Sequence, residues 1–350
     1  MKRIFVALAL LASASACRQI AGIHDVTFSD AAAPSGDGGS GECSGATNLI
    51  TSIADYDDLS VAGGFAFVEI TSAGVARCAT NGTCKDPNDL LTVPATDTYQ
   101  DFTLSASSML VYTLQGPSGS GGSVHAAKLD GTGDTTVVGN LAYPAYVTTT
   151  GARTFWVDDP FIVTSDTDSV QCSGCNGVGP TPWITNLFGG AYGIYADAAN
   201  VYVLADDPSS TYTLYDCPVT AACASPQTLL AGLDPTTELA QMIASDGTDL
   251  YVGRNDHADI VRVGPATPLT PIVTGTQAYA VAVDATAGYV YYGTDQASLW
   301  RVKADGSDAP TVLATCNSTN DTVEAVAVDA TSVYMLLSTA TGSVVVSAPK

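Results

Sequence analysis

Charged residues are scarce in this chain of 350 residues, and the basic ones are scarcest. Only 13% of positions are charged, with 12 Lys and Arg against 35 Asp and Glu. The formal net charge of −23 makes nucleic acid or an anionic lipid surface an implausible partner, because both attract positively charged proteins. The only histidines are His24, His125 and His257. A zinc site, which needs several nitrogen or sulfur ligands close together, is therefore not expected.

Helix signals are also missing. After the N-terminal segment, no stretch carries a sustained apolar stripe with the 3.6-residue period of an amphipathic helix. The chain has instead 46% hydrophobic residues and 33 glycines. This composition is typical of many short strands joined by tight turns, and it predicts an all-β protein.

One phrase recurs seven times along the chain. Its clearest copies are Ala280-Val-Ala-Val-Asp-Ala-Thr286 followed by Tyr289-Val-Tyr-Tyr-Gly293, and Ala325-Val-Ala-Val-Asp-Ala-Thr331 followed by Val333-Tyr-Met335. An aromatic residue in the second element marks each copy: Phe67, Tyr112, Trp156, Tyr202, Tyr251, Tyr291 and Tyr334. The intervals between these marker aromatics are 45, 44, 46, 49, 40 and 43 residues. Such a period predicts a seven-bladed β-propeller of four-stranded antiparallel blades.

The two ends of the repeat array predict how the ring closes. The seventh copy has no fourth strand after Val344–Val346, and an orphan strand, Thr47–Thr51, precedes the first inner strand. We predict that these two segments pair in the last blade, so that no sheet edge is left open where the circle begins and ends. Six blades with an unpaired tail are the alternative.

The N-terminus has the features of a bacterial export signal. Lys2 and Arg3 precede an apolar run that is too short to span a bilayer, and the small residues Ala14-Ser-Ala16 follow it. Cys17 comes directly after them, as in bacterial lipoproteins. Residues 1–16 are therefore predicted to be removed and Cys17 to be lipidated. Ordinary signal-peptidase cleavage, which would give a soluble secreted protein, is the alternative.

Residues 17–42 are interpreted as the lipidated cysteine and a tether, and residues 43–350 as the propeller. The tether is rich in Gly, Ser, Ala, Pro and Asp and cannot bury enough apolar surface to order itself. Arg18 stands where lipoproteins retained in the inner membrane have aspartate, so the resemblance implies an outer-membrane lipoprotein, facing the periplasm or the cell surface. Loss of Lys2 and Arg3 leaves 10 basic and 35 acidic residues, a net charge of −25.

Eight cysteines remain beyond Cys17, an even number that suits an oxidising compartment. Six of them form local pairs, each across the turn between a third and a fourth strand: Cys78/Cys84, Cys172/Cys175 and Cys217/Cys223. The repeated placement favours structural disulfides over redox chemistry, although Cys172 and Cys175 have the Cys-x-x-Cys spacing. Cys43 and Cys316 are left over, and we predict that they pair and tie the closing strand to the loop that enters the last blade.

The loops after the second strands vary most between copies and, in a propeller, lie on one face. They contain the residues of the predicted binding face: Asp158, Asp159, Asp206, Asp207, Arg254, Asp256, His257 and Asp295. Carboxylates at the mouth of the channel are ligands for calcium, but no twelve-residue calcium loop is present. No cofactor is assigned, with calcium as the alternative. Four aspartates that end inner strands are interpreted as caps of turn amides: Asp197, Asp246, Asp284 and Asp329.

Features of an enzyme are few. No Gly-x-Ser-x-Gly elbow occurs, His125 is placed in a third strand away from the axis, and His257 is the only histidine of its face. Enzymes built on propellers usually gather such groups around the axis. The sequence therefore predicts a non-catalytic protein.

The run from Val281 to Gly306, with Val290-Tyr-Tyr-Gly293 and Leu299-Trp-Arg-Val-Lys-Ala-Asp-Gly306, resembles the blades of exported bacterial propeller lipoproteins. These are similar in pattern to TolB-like and YWTD receptor propellers, although Tyr291-Tyr-Gly-Thr294 stands in place of the YWTD tetrad. The resemblance covers about Leu59 to Lys350 and implies a binding face without shared chemistry.

The predicted function is thus a surface-anchored lipoprotein whose propeller loops bind or scaffold a protein, peptide or glycan partner. We expect a monomer that contacts the membrane through its lipid anchor only. The alternative function is a calcium-dependent hydrolase or lyase with its site at the channel mouth.

Overall fold

The structure is a computed structural model, and it describes residues 43–51, 56–70, 74–82, 88–93, 97–105, 109–116, 121–158, 168–175, 180–185, 187, 190–206, 211–233, 243–254, 257–264, 267–294, 296–316, 321–340 and 342–350. Within these ranges the chain forms strands and turns and no helix. The predictions for the signal segment, Cys17 and the tether lie outside the described residues.

Seven antiparallel sheets follow one another along the chain, one for each copy of the repeat. Blade 1 consists of β3 Tyr56–Ala62, β4 Phe65–Ile70, β5 Gly74–Ala79 and β6 Asn88–Thr92. Blade 2 consists of β7 Thr98–Leu104, β8 Met109–Gln115, β9 Gly122–Lys128 and β10 Thr135–Leu141. Blade 3 consists of β11 Pro144–Thr150, β12 Arg153–Asp158, β13 Ser169–Ser173 and β14 Thr181–Ile184. Blade 4 consists of β15 Ala191–Ala196, β16 Asn200–Asp206, β17 Tyr212–Pro218 and β18 Gln227–Leu233. Blade 5 consists of β19 Ile243–Ser245, β20 Leu250–Arg254, β21 Asp259–Gly264 and β22 Thr267–Thr274. Blade 6 contains β23 Ala278–Asp284, β24 Tyr289–Thr294, β25 Ser298–Lys303 and β26 Thr311–Cys316. Blade 7 contains β27 Thr322–Val328, β28 Ser332–Thr339 and β29 Gly342–Pro349. The seven-bladed propeller predicted from the sequence is confirmed.

Two N-terminal strands complete the last two blades. The strand β2, Thr47–Thr51, pairs antiparallel with β29 and supplies the fourth strand of blade 7, as predicted. The strand β1, Cys43–Ser44, pairs with β26 at the outer edge of blade 6. Blade 6 therefore carries this short fifth strand in addition to its four predicted strands. The N-terminal segment thus crosses the outer edges of two neighbouring blades and holds both.

The first strands of neighbouring blades contact one another along the series of blades 5, 6, 7, 1, 2, 3 and 4, including β27 with β3 across the ring closure. They therefore form the inner ring, and the hydrophobic core lies between the blades. Seven clusters of buried residues occur, one at each contact between neighbouring blades. The seven marker aromatics are 0–5% exposed and fill these clusters. Removal of one such side chain should destabilise the fold by roughly 3–5 kcal/mol.

The aspartates that end inner strands lock the turn to the second strand, as predicted. In blade 5, Oδ1 of Asp246 accepts hydrogen bonds from the amides of Thr248 and Asp249, both at 2.8 Å. Its Oδ2 accepts the hydroxyl of the marker aromatic Tyr251 at 2.8 Å. Burial disfavours the charge, but these three bonds outweigh it and lower the pKa of Asp246. The same aspartate–tyrosine clasp occurs in blades 4 and 7, between Asp197 and Tyr202 and between Asp329 and Tyr334.

The structure contains the disulfides Cys43–Cys316, Cys172–Cys175 and Cys217–Cys223. The two local bridges join a third strand to the turn that follows it. Cys316 is the last residue of β26 and lies directly opposite Cys43, so this bridge fastens β1 to blade 6 and not to a loop that enters blade 7. Cys78 is also disulfide-bonded, and its predicted partner Cys84 lies outside the described residues.

Candidate functional site

One end of the channel is formed where each second strand ends and each first strand begins, and we call it the channel mouth. The predicted binding residues Asp158, Asp206, Arg254 and His257 lie at this end, on or just after β12, β16 and β20. The other four predicted residues fall outside the described part of the chain: Asp159, Asp207, Asp256 and Asp295.

Asp158 and Asp206 both hold the start of a first strand. Oδ1 of Asp158 accepts a hydrogen bond from the amide of Tyr143 at 3.2 Å, just before β11. Oδ2 of Asp206 accepts the amide of Gly190 at 3.4 Å, just before β15. Each carboxylate therefore fastens the two strands of its own blade at the mouth. This structural task accounts for the carboxylate that ends the second strand in both blades.

Arg254 closes the loop of blade 5. Its guanidinium donates two hydrogen bonds to Asp259, at 2.8 and 2.5 Å, and the two side chains are only 11% and 9% exposed. This pair joins the end of β20 to the start of β21, while His257 is exposed in the turn between them. Across the described ranges, no group of three or more His, Cys, Asp or Glu residues is arranged to hold a metal ion. The calcium alternative stays a prediction that depends on acids outside those ranges.

The inner strands carry a feature that the sequence analysis missed. In blades 2, 3, 4, 6 and 7 their pairing with the second strand skips one residue near the mouth, which is a β-bulge. The bulged residues are Gln100, Tyr146, Tyr192, Tyr279 and Glu324. Bulges bend a strand and redirect a side chain, and they are frequent beside binding sites. A sequence signal exists, because Tyr192, Tyr279 and Glu324 each stand five residues before the aspartate that ends the inner strand.

Three of the bulged residues are tyrosines: Tyr146 in blade 3, Tyr192 in blade 4 and Tyr279 in blade 6. The rings of Tyr192 and Tyr212 stack with their centroids 4.6 Å apart. Tyr279 packs against the same hydrophobic cluster as these two residues, between blades 4 and 5. Tyr146 in blade 3 lies close enough to Tyr192 to influence its ionisation. All four rings are half-buried, and we call them the tyrosine cluster.

The hydroxyl of Tyr192 donates a hydrogen bond to Oδ2 of Asp206 at 3.0 Å. Burial, followed by this bond to a carboxylate, raises the pKa of Tyr192 well above its usual value. The side chain is therefore neutral and fixed in direction, with one ring face against Tyr212. A rigid aromatic group with a polar end is a common anchor in protein interfaces.

Carboxylates lie beside the bulge of blade 2. Asp101 accepts hydrogen bonds from the amides of Phe102 and Val147, both at 2.7 Å. Burial, with a smaller effect of the nearby Asp58, raises the pKa of Asp101 to about 8. The hydroxyl of Tyr99 is buried close by and has no hydrogen-bond partner among the residues that the structure describes. In blade 3, Oδ2 of Asp168 accepts a hydrogen bond from the amide of Ala191, the first residue of blade 4, at 2.5 Å. The tyrosine cluster of blades 3, 4 and 6 therefore lies at a mouth that also carries the carboxylates of Asp158, Asp168 and Asp206.

No protein-family model and no curated protein matches this sequence. Among solved structures, the chain is similar to streptogramin B lyase, with a TM-score of 0.61 and 12% identity over 87% of this chain and 97% of the lyase. It is also similar to the β-propeller domain of the Trilobed protease from Pyrococcus furiosus, which is described as having an open velcro topology, with a TM-score of 0.56 and 10% identity over 83% of this chain and 93% of that domain.

A third similar structure is the puromycin-hydrolyzing peptidase of Mycobacterium tuberculosis, with a TM-score of 0.55 and 18% identity over 73% of this chain. The match covers 44% of that peptidase, so the chain spans less than half of its length. At such identities the similarity shows the propeller fold alone. In addition, the described residues include no helix that is long and apolar enough to cross a membrane.

Proposed function

We propose that this protein is a binding or scaffolding module that presents the tyrosine cluster at its channel mouth to a protein, peptide or glycan partner. The observation that carries the proposal is the stacked pair of Tyr192 and Tyr212, half-buried and fixed by Asp206. Aromatic rings that are already ordered lose little conformational entropy on binding, so they contribute contact area efficiently.

The charge of the domain favours a partner with basic groups. The chain after residue 16 carries 10 basic and 35 acidic residues, and the carboxylates of Asp158, Asp168 and Asp206 lie at or near the mouth. Complementary charge raises the rate of association and selects between partners. Among the three classes of partner, a protein or peptide rich in lysine and arginine agrees best with this surface.

We further propose that the domain works outside the cytoplasm, held at the outer membrane by a lipid on Cys17. The proposal is supported by the export signal predicted from residues 1–16 and by the bridges Cys43–Cys316, Cys172–Cys175 and Cys217–Cys223. Disulfides persist in oxidising compartments and are rare in the cytosol.

The binding proposal is tested with the purified protein on peptide arrays graded in lysine and arginine content and on a glycan array. We expect signal on the basic peptides, weakened by salt, and a loss of at least about tenfold in affinity for Tyr192→Ala, in line with an aromatic anchor. Tyr289→Ala is the matched control, because Tyr289 is a half-buried tyrosine at the opposite end of the propeller, at the start of β24. Equal losses in the two variants, or no binding to either array, would contradict the proposal.

A further inference from the structure

Ser123, His125 and Asp134 form a connected set of side chains in the outer half of blade 2, separate from the tyrosine cluster. Ser123 and His125 are two residues apart on β9 and thus lie on the same face of the strand. Oγ of Ser123 is 2.9 Å from Nε2 of His125. Nδ1 of His125 is 3.3 Å from both carboxylate oxygens of Asp134, in the turn before β10.

The imidazole is fixed from a third side. The ring of Tyr112 stacks on that of His125, with centroids 5.2 Å apart, and the Tyr112 hydroxyl hydrogen-bonds to Asp134. The carboxylate of Asp134 favours the tautomer of His125 that carries its proton on Nδ1. Nε2 is then an acceptor, and the hydroxyl of Ser123 is its donor. This is the order of nucleophile, base and orienting acid that activates a serine.

A cleft lies beside these residues, between blades 1 and 2. Its volume is about 180 Å³, and it is lined by Asp97, Tyr112, His125 and Asp134 together with the apolar side chains of Leu91, Val93 and Leu114. Ser123 does not line the cleft itself but contacts His125, which does. His125 is 16% exposed, so that solvent and a small substrate can reach it. The volume is below the roughly 300 Å³ at which pockets for drug-sized ligands begin. The apolar side chains of Leu91, Val93 and Leu114 offer contacts for a short acyl chain.

Blade 3 provides an internal comparison. Ser169 and Gln171 of β13 occupy the same register, opposite the second strand, as Ser123 and His125 of β9. Nε2 of Gln171 donates to Oγ of Ser169 at 3.0 Å. The serine bond alone is therefore a feature that the fold repeats. Only in blade 2, of the blades as described, is the partner an imidazole with a carboxylate behind it; the other residues opposite a marker aromatic are Arg77, Asp216, Arg262, Arg301 and Ser347.

We propose that Ser123 is the nucleophile of a second, hydrolytic site that takes esters of short acyl chains. Oγ of Ser123 attacks the ester carbonyl carbon while its proton passes to Nε2 of His125. The ester C–O bond then breaks, and the alcohol leaves with that proton, so that the acyl group stays on Ser123. Water attacks the acyl carbon, gives a proton to Nε2, and releases the carboxylic acid as the serine takes the proton back. Asp134 stays ionised and stabilises the imidazolium.

The site is tested on the full purified protein with p-nitrophenyl butyrate as substrate and a fluorophosphonate as covalent probe. We expect one probe per molecule, on Ser123 by peptide mass mapping, and steady release of p-nitrophenol. Ser123→Ala and His125→Gln should each lower kcat/KM by at least about 100-fold, because they remove the nucleophile or the base. His125→Gln recreates the pair of blade 3 and so preserves the hydrogen bond and the fold. Ser169→Ala is the matched control and should leave both readouts unchanged.

Asp134→Asn separates a positioning role from a structural one. It should lower kcat by at least about tenfold with KM little changed, because it disturbs the tautomer of His125 and not the cleft. The proposal is overturned if Ser123 is not labelled, if His125→Gln is labelled as fast as the unaltered protein, or if the probe reacts equally with Ser169.

Discussion

Lys350 donates a charged hydrogen bond to Oδ2 of Asp284, and it takes the place that a tyrosine hydroxyl occupies in blades 4, 5 and 7. The marker aromatic Tyr291 stands seven residues after Asp284, whereas Tyr251 stands five after Asp246. The longer turn moves Tyr291 away, and it hydrogen-bonds to Arg301. A residue of blade 7 therefore completes the clasp of blade 6. The bond from Lys350 is the largest cause of the lowered pKa of Asp284.

The clasp makes a testable contribution to stability. Tyr251→Phe removes the hydroxyl that donates a hydrogen bond to Asp246. We expect the free energy of unfolding to fall by about 1 kcal/mol at neutral pH, because the lost bond is made to a charged group that is partly solvated. The pKa of Asp246 is lowered in the fold, so this contribution is present above the ordinary aspartate pKa and is lost as the pH falls through the lowered value. Urea unfolding at neutral and acidic pH measures it. Tyr292→Phe is the control, because Tyr292 makes no clasp in blade 6; equal effects of the two variants would refute the explanation.

The raised pKa of Asp101 gives a contribution to stability with the opposite pH dependence. Its pKa is raised to about 8 in the fold, so the folded protein binds more protons than the unfolded chain between about pH 4 and 8. The group's contribution to stability therefore falls as the pH rises through this range. Asp101→Asn should flatten the stability profile between pH 5 and 8, as measured by thermal unfolding. A profile with unchanged slope would show that Asp101 is ionised in the folded protein.

The bridge between Cys43 and Cys316 should stabilise the ring more than the local bridges do. It joins residues 273 positions apart, whereas Cys172 and Cys175 are three positions apart. A bridge that closes a longer loop restricts the unfolded chain more, and its loss costs roughly 2–5 kcal/mol. We expect a larger fall in Tm for Cys43→Ser with Cys316→Ser than for Cys172→Ser with Cys175→Ser. Calorimetry of the two double variants under non-reducing conditions measures the two changes in Tm. A larger fall in Tm on loss of the short bridge would contradict the loop-closure argument.

Export and anchoring have a direct test. Protein expressed with its own N-terminus in a Gram-negative host should begin at Cys17 and carry acyl chains, as shown by the mass of its N-terminal peptide. Cys17→Ser should release the protein from the membrane fraction without loss of the propeller fold. An unmodified Cys17, or an N-terminus elsewhere, would support the alternative of a soluble secreted protein.

The number of blades and the ring closure could be predicted from the sequence because a propeller is a local repeat. Each blade is a run of about 45 consecutive residues, consistent with the roughly 40–50 residue period of propellers, and the marker aromatics report its position directly. The last blade was the only copy that lacked a fourth strand, so the additional strand Thr47–Thr51 could be assigned to the position beside β29. The turn aspartates were equally readable, since Asp246 caps amides only two and three residues ahead.

The sites were decided by tertiary structure. The pairing of β1 with blade 6 could not be read, because two residues carry no periodicity of their own. The bulges at Tyr146, Tyr192 and Tyr279 depend on a shift of register between strands, which no single strand encodes. His125 looks isolated in the sequence, and only the hairpin of β9 and β10 brings Asp134 to its Nδ1. The sequence by itself determined the repeat, the closure and the local caps, whereas contacts between strands and blades decided which side chains meet.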